Sequence, residues 1–410
     1  MVKSQKDKSK KHSRKPILWI GLSLLSLGVL ALLLFYFLWL KPTLTTPLAD
    51  VLNLPTSPLA VQEPTSTTPT QDPPTLPTEQ AAETAIEQFS TGTTPDTTSV
   101  AGETPNPTAE PSKEQPTPTN TIEVPVYVKP TIPAGKQPIC GDESEWIVLL
   151  AGVDYQGDGY LYGLADVIRL ARIDFINGTI NMLVLPRDLL VDVPVDRLKV
   201  EGPIKLNQGY LFGTPGMGHY VGSGYGAGSL AEVIQYNFGV TTDHYAVINF
   251  KTFVSFIDAI GGIEVDLPQR VTDPDFGTFP AGRQWLSGEQ ALKLARIRML
   301  YSDAFRISNQ TLIMRAVLNK MMQPSLILKV PALLVRYKDA FLTDLSIEQL
   351  TTLGLCFLNK FDTSNLQTYA FPYDLAREGS AFIPTLNNKA FVYNWDPRLI
   401  DWIHETLVSE

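Results

Sequence analysis

Three arginines crowd the stretch "ALKLARIRMLYSDAFRISNQ", Ala291–Gln310: Arg296, Arg298 and Arg306. In extended backbone, residues two apart point the same way, so Arg296 and Arg298 share a direction. On a helix, residues four apart share a face, which pairs Arg306 with Gln310. Like charges about 4 Å apart repel by about 4 kcal/mol at an effective dielectric near 20. Guanidinium groups that converge therefore need several negative charges between them. The plainer alternative is salt bridges to Asp303 and Glu289 on a solvated surface.

Two further groups have the same character. Arg187 and Asp188, in "LPRDLLV", stand where an apolar run ends on proline. In open α/β sheets, ligands bind beyond the carboxyl ends of strands. An internal Arg–Asp pair is the other reading. Asp154 follows "LLAGV", and Asp166 opens the next strand. Two carboxylates at one sheet edge, with water positions left open, suit Mg²⁺, above all when phosphate supplies further oxygens. Each Asp could equally cap a turn. No G-x-S-x-G accompanies His219, His244 and His404, and neither an H-E-x-x-H nor a Cys/His cluster is present. "GTPGMGHYVGSGYGAGS" holds seven glycines between Gly213 and Gly228 but no G-x-x-x-x-G-K-[ST], so it reads as a mobile lip beside a pocket.

The elements that must position these residues begin near Gln137. "EWIVLLAGVD" is a strand, and "DVIRLARIDF" with "TINMLVLPRD" makes a hairpin around "INGT". In a regular strand Arg169 faces away from Asp166. "SLAEVIQYNFG" reads as a helix with Ser229 and Glu232 in capping-box spacing. "HYAVINF", "KTFVSFIDAIG" and "GIEVDLP" read as strand, helix and strand. "SGEQALKLA" is a helix boxed by Ser287 and Gln290, ending near Ala295. "RISNQTLIMRAVLNKMM" is a long helix with Ile307, Met314, Val317 and Met321 on its apolar face. "SIEQLTTLGLCFLNKF", "LQTYAF" and "RLIDWIHETLV" follow as helix, strand and helix. Strands mixed with helices predict one α/β domain over residues 137–410.

What precedes it differs in kind. Residues 1–16 form a basic tail, with seven Lys or Arg among the first fifteen residues. Ile17–Leu40 carries no charge and is long enough to span a bilayer of roughly 30 Å as a helix. The basic flank predicts a cytoplasmic N-terminus and a single-pass membrane protein with its bulk outside. Residues 41–136, rich in Thr and Pro, predict a disordered linker. The net charge of −9 argues against a nucleic-acid partner. Cys140 and Cys356 leave a disulfide and two free thiols equally open.

The motifs "LLAGVD", "ADVIRLARID", "VLPRDLLVDVP", "KLNQGY", "DHYAVINF", "GGIEVDLP", "AGRQWLSGEQALKLARIR" and "DAFRISNQ" occur in an order that resembles the LytR-CpsA-Psr family over about residues 145–325. The resemblance implies an α/β/α sandwich with a mixed central sheet. It also implies a phosphotransferase that moves a glycopolymer from a polyprenyl-diphosphate lipid to peptidoglycan. Asp154 and Asp166 would hold Mg²⁺, with Mn²⁺ an alternative. Arg187, Arg296, Arg298 and Arg306 would bind the diphosphate, Gln310, Lys205 and Asp188 would stand beside it, and Asp303 would be a base. One departure is plain: the family commonly carries Arg-Ser-Asp where this chain has Leu164-Ala165-Asp166. It keeps open a binder of lipid or glycan without transfer, and a scaffold in the envelope.

Overall fold

The computed structural model describes Tyr36 and residues 41–55, 124–157, 159–298, 303–327, 329–337, 340–361 and 365–409. Its centre is a six-stranded mixed sheet. Strand β1 (Glu145–Val153) runs antiparallel to β2 (Ala165–Asp174), and β2 antiparallel to β3 (Thr179–Leu185). The β2–β3 hairpin turns where Asp174 Oδ1 accepts from the backbone N–H of Ile176 and Asn177, and Gly178 supplies the positive φ. Short strands β4 (Leu190–Val191) and β5 (Ile204–Lys205) pair outside this sheet. On the other side, β6 (His244–Asn249) joins β1 in parallel. The expected hairpin and the strand "HYAVINF" are both found.

Alternation along β1 sorts the two faces. Ile147, Leu149, Ala151 and Val153 enter the main core, while Val148 and Leu150 face the other way. The main core is closed by helices α1 (Leu206–Gly213) and α2 (Tyr225–Phe238). Helix α2 begins four residues before Ser229, so the expected capping box is not formed. Ser229 is an interior helical residue, and Glu232 is buried against Arg197 and Tyr220. Two of the glycines expected in a mobile lip, Gly213 in α1 and Gly226 in α2, lie inside these helices instead. A Cβ on Gly213 would collide with Ser229, and one on Gly226 would collide with Tyr210. They let α1 and α2 approach closely.

A second layer lies on the opposite side. Helix α3 (Phe250–Ala259) is capped by Asn249, whose side chain accepts from the Thr252 N–H. A ribbon of β7 (Ile263–Leu267) and β10 (Gly282–Leu286) flanks a small hairpin, β8 (Val271–Asp273) with β9 (Gly277–Phe279). Helix α4 (Gly288–Arg296) has the expected Ser287–Gln290 capping box, and helix α5 (Asp303–Met321) follows. On α5 the buried positions are Arg306, Asn309, Ile313 and Ala316. That stripe is rotated from the expected one, because two of its members are polar and invisible to an apolar count. Strand β11 (Leu342–Thr343) edges the sheet beside β6. Helix α6 (Ile347–Lys360) carries Cys356 onto β1, and β12 (Leu366–Tyr369) extends the sheet in parallel beyond β3. A ribbon of β13 (Ala376–Ile383) and β14 (Asn388–Trp395) leads to helix α7 (Arg398–Val408), which buries Leu399, Ile403 and Leu407 in the main core. The mixed α/β architecture with a mixed central sheet is therefore as expected.

Both ends of the segment read as linker are structured. Tyr127 is buried, its N–H donates to Gly239 O at 2.9 Å, and Lys129 meets Asp243 at 2.8 Å. At the other end, Asp50 O accepts from the Tyr245 hydroxyl, and Pro55 O accepts from Gln235. These scattered residues show no apolar period, so composition masked them. Residues 56–123 lie outside the described residues, as does Ile17–Leu40 apart from Tyr36. Among the described residues, no helix is long and apolar enough to cross a membrane. Cys140 and Cys356 form a disulfide with Cα atoms 6.0 Å apart, which ties the entry to β1 to α6.

Candidate functional site

Between the sheet and the second layer lies a cavity of about 480 Å³. Its sheet wall is Leu150, Val167 and Ile248; its helical wall includes Phe253, Ile313 and Val317. Arginines gather in this otherwise apolar space: Arg187, Arg296, Arg298 and Arg306 all line it, with Asp166 and Gln310.

Local structure explains how each arrives. Helix α4 runs through Arg296, one residue further than expected. Ile297 then leaves the helical backbone and is fully buried in the second layer, while Arg296 and Arg298 on either side line the cavity. The Arg296 guanidinium lies 5.0 Å from the Phe250 ring centre and 5.1 Å from that of Phe276. Stacking of this kind orients a guanidinium without neutralising it. Arg306 and Gln310 share one face of α5, as their spacing requires. Gln310 Nε2 donates to Ala295 O at 3.2 Å, tying α5 to the end of α4.

Arg187 leaves β3 toward two carboxylates. Its Nη1 lies 2.7 Å from Asp166 Oδ1, and its Nε 3.2 Å from Asp188 Oδ2. Lys205 Nζ lies 2.8 Å from the other Asp188 oxygen. Asp188 and Lys205 thus stand behind the cavity wall and hold Arg187 from the rear. Burial would raise the Asp188 pKa, but Lys205 and Arg187 outweigh it and hold the carboxyl below its usual range. Burial likewise works against the charge on Arg187, and Asp166 and Asp188 overcome it.

Asp154 sits at the end of β1, its Oδ1 accepting from the Leu164 N–H at 2.7 Å. Burial pushes its pKa up, and the nearby Asp166 carboxylate adds to that. Two carboxylates that repel each other through a partly buried space suit a divalent cation that keeps waters and takes its other ligands from phosphate. Among the described residues, no third acidic, His or Cys group joins them. The side chain of Asp303 lies outside the described residues.

One residue in the wall runs against expectation. Gly152 pairs with Val167 and Val153 pairs with Ala165, so Asp166 is an extra residue in β2. This bulge shifts the alternation. Asp166, Val167 and Arg169 consequently all line the same cavity, with Arg169 opposite Leu150 of β1. Pure alternation put Arg169 on the far face; a bulge beside the preceding turn is what undoes that. The ring of Phe250, Phe253, Phe256, Phe276 and Phe341 was also missed, since its members come from separate segments.

The LytR_cpsA_psr family model matches residues 107–398 of the chain. A polyisoprenyl-teichoic acid–peptidoglycan teichoic acid transferase TagU from Oceanobacillus iheyensis is 31% identical over 209 residues, which is 50% of this chain and 61% of that protein. The TagU of Enterococcus faecalis is 26% identical over 52% of this chain and 66% of its own length. The chain thus spans under two thirds of the length of these relatives. Among solved structures, Bacillus subtilis TagV has the same fold, with a TM-score of 0.52 at 21% identity over 65% of this chain and 97% of that one. Because the family model extends across the sheet, the second layer and the arginine-lined cavity alike, this chain belongs to the LytR_cpsA_psr family.

Proposed function

We propose that this protein transfers a glycopolymer from a polyprenyl-diphosphate lipid to peptidoglycan. The observation that carries this reading is the gathering of arginines, Arg187, Arg296, Arg298 and Arg306 among them, on one apolar cavity. An amphiphile with a hydrocarbon tail and a diphosphate head satisfies both parts at once: the tail takes the apolar walls, and the head takes the guanidinium groups. The names of the TagU relatives, which specify a polyisoprenyl-linked donor and a peptidoglycan acceptor, support it.

In the transfer, an acceptor hydroxyl bonds to the glycan-side phosphorus. The bridging P–O bond breaks, polyprenyl phosphate leaves, and the acceptor proton passes to a base, for which Asp303 is the proposed residue by family resemblance. Arg187, Arg296, Arg298 and Arg306 bind the phosphate oxygens and the charge that builds on the leaving group. Asp154 and Asp166 are the proposed holders of Mg²⁺, or of Mn²⁺ in its place; the ion would offset the diphosphate charge. The rear contacts of Asp188 and Lys205 fix Arg187 so that little reorganisation is needed. The Cys140–Cys356 bridge supports an extracytoplasmic domain, since disulfides persist in oxidising compartments. A single-pass anchor at Ile17–Leu40 completes the proposal.

The test is transfer by the full chain in detergent, with a polyprenyl-diphosphate glycan, Mg²⁺ and peptidoglycan. Label should appear on peptidoglycan, and Arg298→Ala should abolish it. Transfer undiminished in Arg298→Ala would remove the arginines from the chemistry. Binding of the lipid without turnover would make the protein a carrier or sensor of that lipid.

A further inference from the structure

Strand β2 buries two arginines, and their surroundings differ. Arg172 is neutralised: Glu145 lies 2.6 Å from its Nε, and Asp174 lies 3.0 Å from its Nη2. Arg169, three residues earlier and only 2% exposed, has no carboxylate within ion-pair distance among the described residues. Its bonds go to Thr311 Oγ1 at 2.9 Å and weakly to Met182 Sδ at 4.0 Å. Neither is charged, and a guanidinium has five N–H donors to place. Burying a cation without a counter-charge is costly, and the side chain lines the cavity with Leu150 opposite it. Burial lowers its pKa to about 10, which still leaves it charged at neutral pH.

Placement says what would offset that cost. Thr311 adjoins Gln310 and lies five residues beyond Arg306, so Arg169 reaches the arginine-bearing part of α5 from the sheet side. We propose that Arg169 is an anion-binding residue of this cavity, taking a phosphate oxygen of the lipid diphosphate from the sheet wall while Arg296, Arg298 and Arg306 take others from the helical wall. This assignment rests on the lipid-diphosphate reading of the cavity. It makes the diphosphate itself the missing counter-charge of a residue that is otherwise only a destabilising burden.

The full chain in detergent should be titrated with geranylgeranyl diphosphate and with the neutral alcohol geranylgeraniol, and thermal melting followed with and without each. Arg169→Met should bind the diphosphate at least tenfold more weakly and the alcohol within about threefold of wild type. Without ligand it should melt higher than wild type, because a buried unpaired cation has gone. Arg169→Lys should recover part of the diphosphate affinity. Thr311→Val removes the hydrogen bond but keeps the guanidinium, and should leave diphosphate affinity near wild type. Unchanged diphosphate affinity in Arg169→Met would overturn the assignment while leaving the lipid reading intact. So would equal weakening toward both probes, or a Thr311→Val variant that behaves like Arg169→Met, since either marks a purely structural tie. Should Arg169→Met fail to fold, Arg169→Gln carries the same comparison. A wild-type protein that binds the alcohol but never the diphosphate would overturn the lipid-diphosphate reading and this assignment together.

Discussion

The Arg187 guanidinium lies 2.7 Å from Asp166 Oδ1, bridging the end of β3 to the bulge in β2. The same guanidinium is held from behind by Asp188. One cation therefore orders a proposed metal ligand and faces the cavity as well. Arg187→Ala should lower transfer by roughly 10³-fold, the scale of a preorganised arginine in phosphoryl transfer. Arg187→Lys should recover little, because an ammonium cannot reproduce the forked contact to two carboxylates. Steady-state transfer by the two variants, with folding checked by thermal melting, decides this.

Asp154→Asn and Asp166→Asn should each weaken Mn²⁺ binding, followed by electron paramagnetic resonance independently of turnover. Burial and Asp166 raise the Asp154 pKa above the ordinary carboxylate value. Protonation removes the metal-binding form, so affinity should rise with pH through that raised value. In Asp166→Asn the rise should move to lower pH, since the neighbouring charge is gone.

Arg296 stacks between Phe250 and Phe276. Arg296→Lys keeps the charge but loses the planar stacking that orients it. A drop of about tenfold in affinity for geranylgeranyl diphosphate is expected, and Phe276→Leu should give a smaller loss in the same direction. Affinity for the neutral alcohol should change little in Arg296→Lys.

Asp188 is held below the usual carboxylate range in the folded protein. Its contribution to stability is therefore fully present above the unfolded value of about 3.9 and is lost as pH falls through the lower folded value. Urea unfolding across that acid range should show stability falling as pH is lowered. Asp188→Asn should be less stable at neutral pH and should flatten that acid limb.

The Cys140–Cys356 bridge closes a loop of 216 residues. Replacing both cysteines by serine should cost about 2–5 kcal/mol of stability, read by denaturant unfolding under oxidising conditions. Transfer by the folded variant should persist, because neither cysteine lines the cavity.

Much of this protein is legible in its sequence. The hairpin around "INGT" follows from local turn chemistry, and the Ser287–Gln290 box follows from capping geometry. The pairing of Arg306 with Gln310 follows from the helix period, a local property of the backbone. Three things were decided only by tertiary packing. Gly213 and Gly226 serve close helix contact, which requires knowing that α1 lies on α2. Tyr127 and Asp50 join the domain because distant groups, Gly239 and Tyr245, accept or donate their hydrogen bonds. Arg169 enters the cavity because one extra residue at Asp166 reverses the alternation of β2. A sequence fixes periods within an element, whereas a bulge is set by the register against a neighbouring strand, and that register belongs to the assembled sheet.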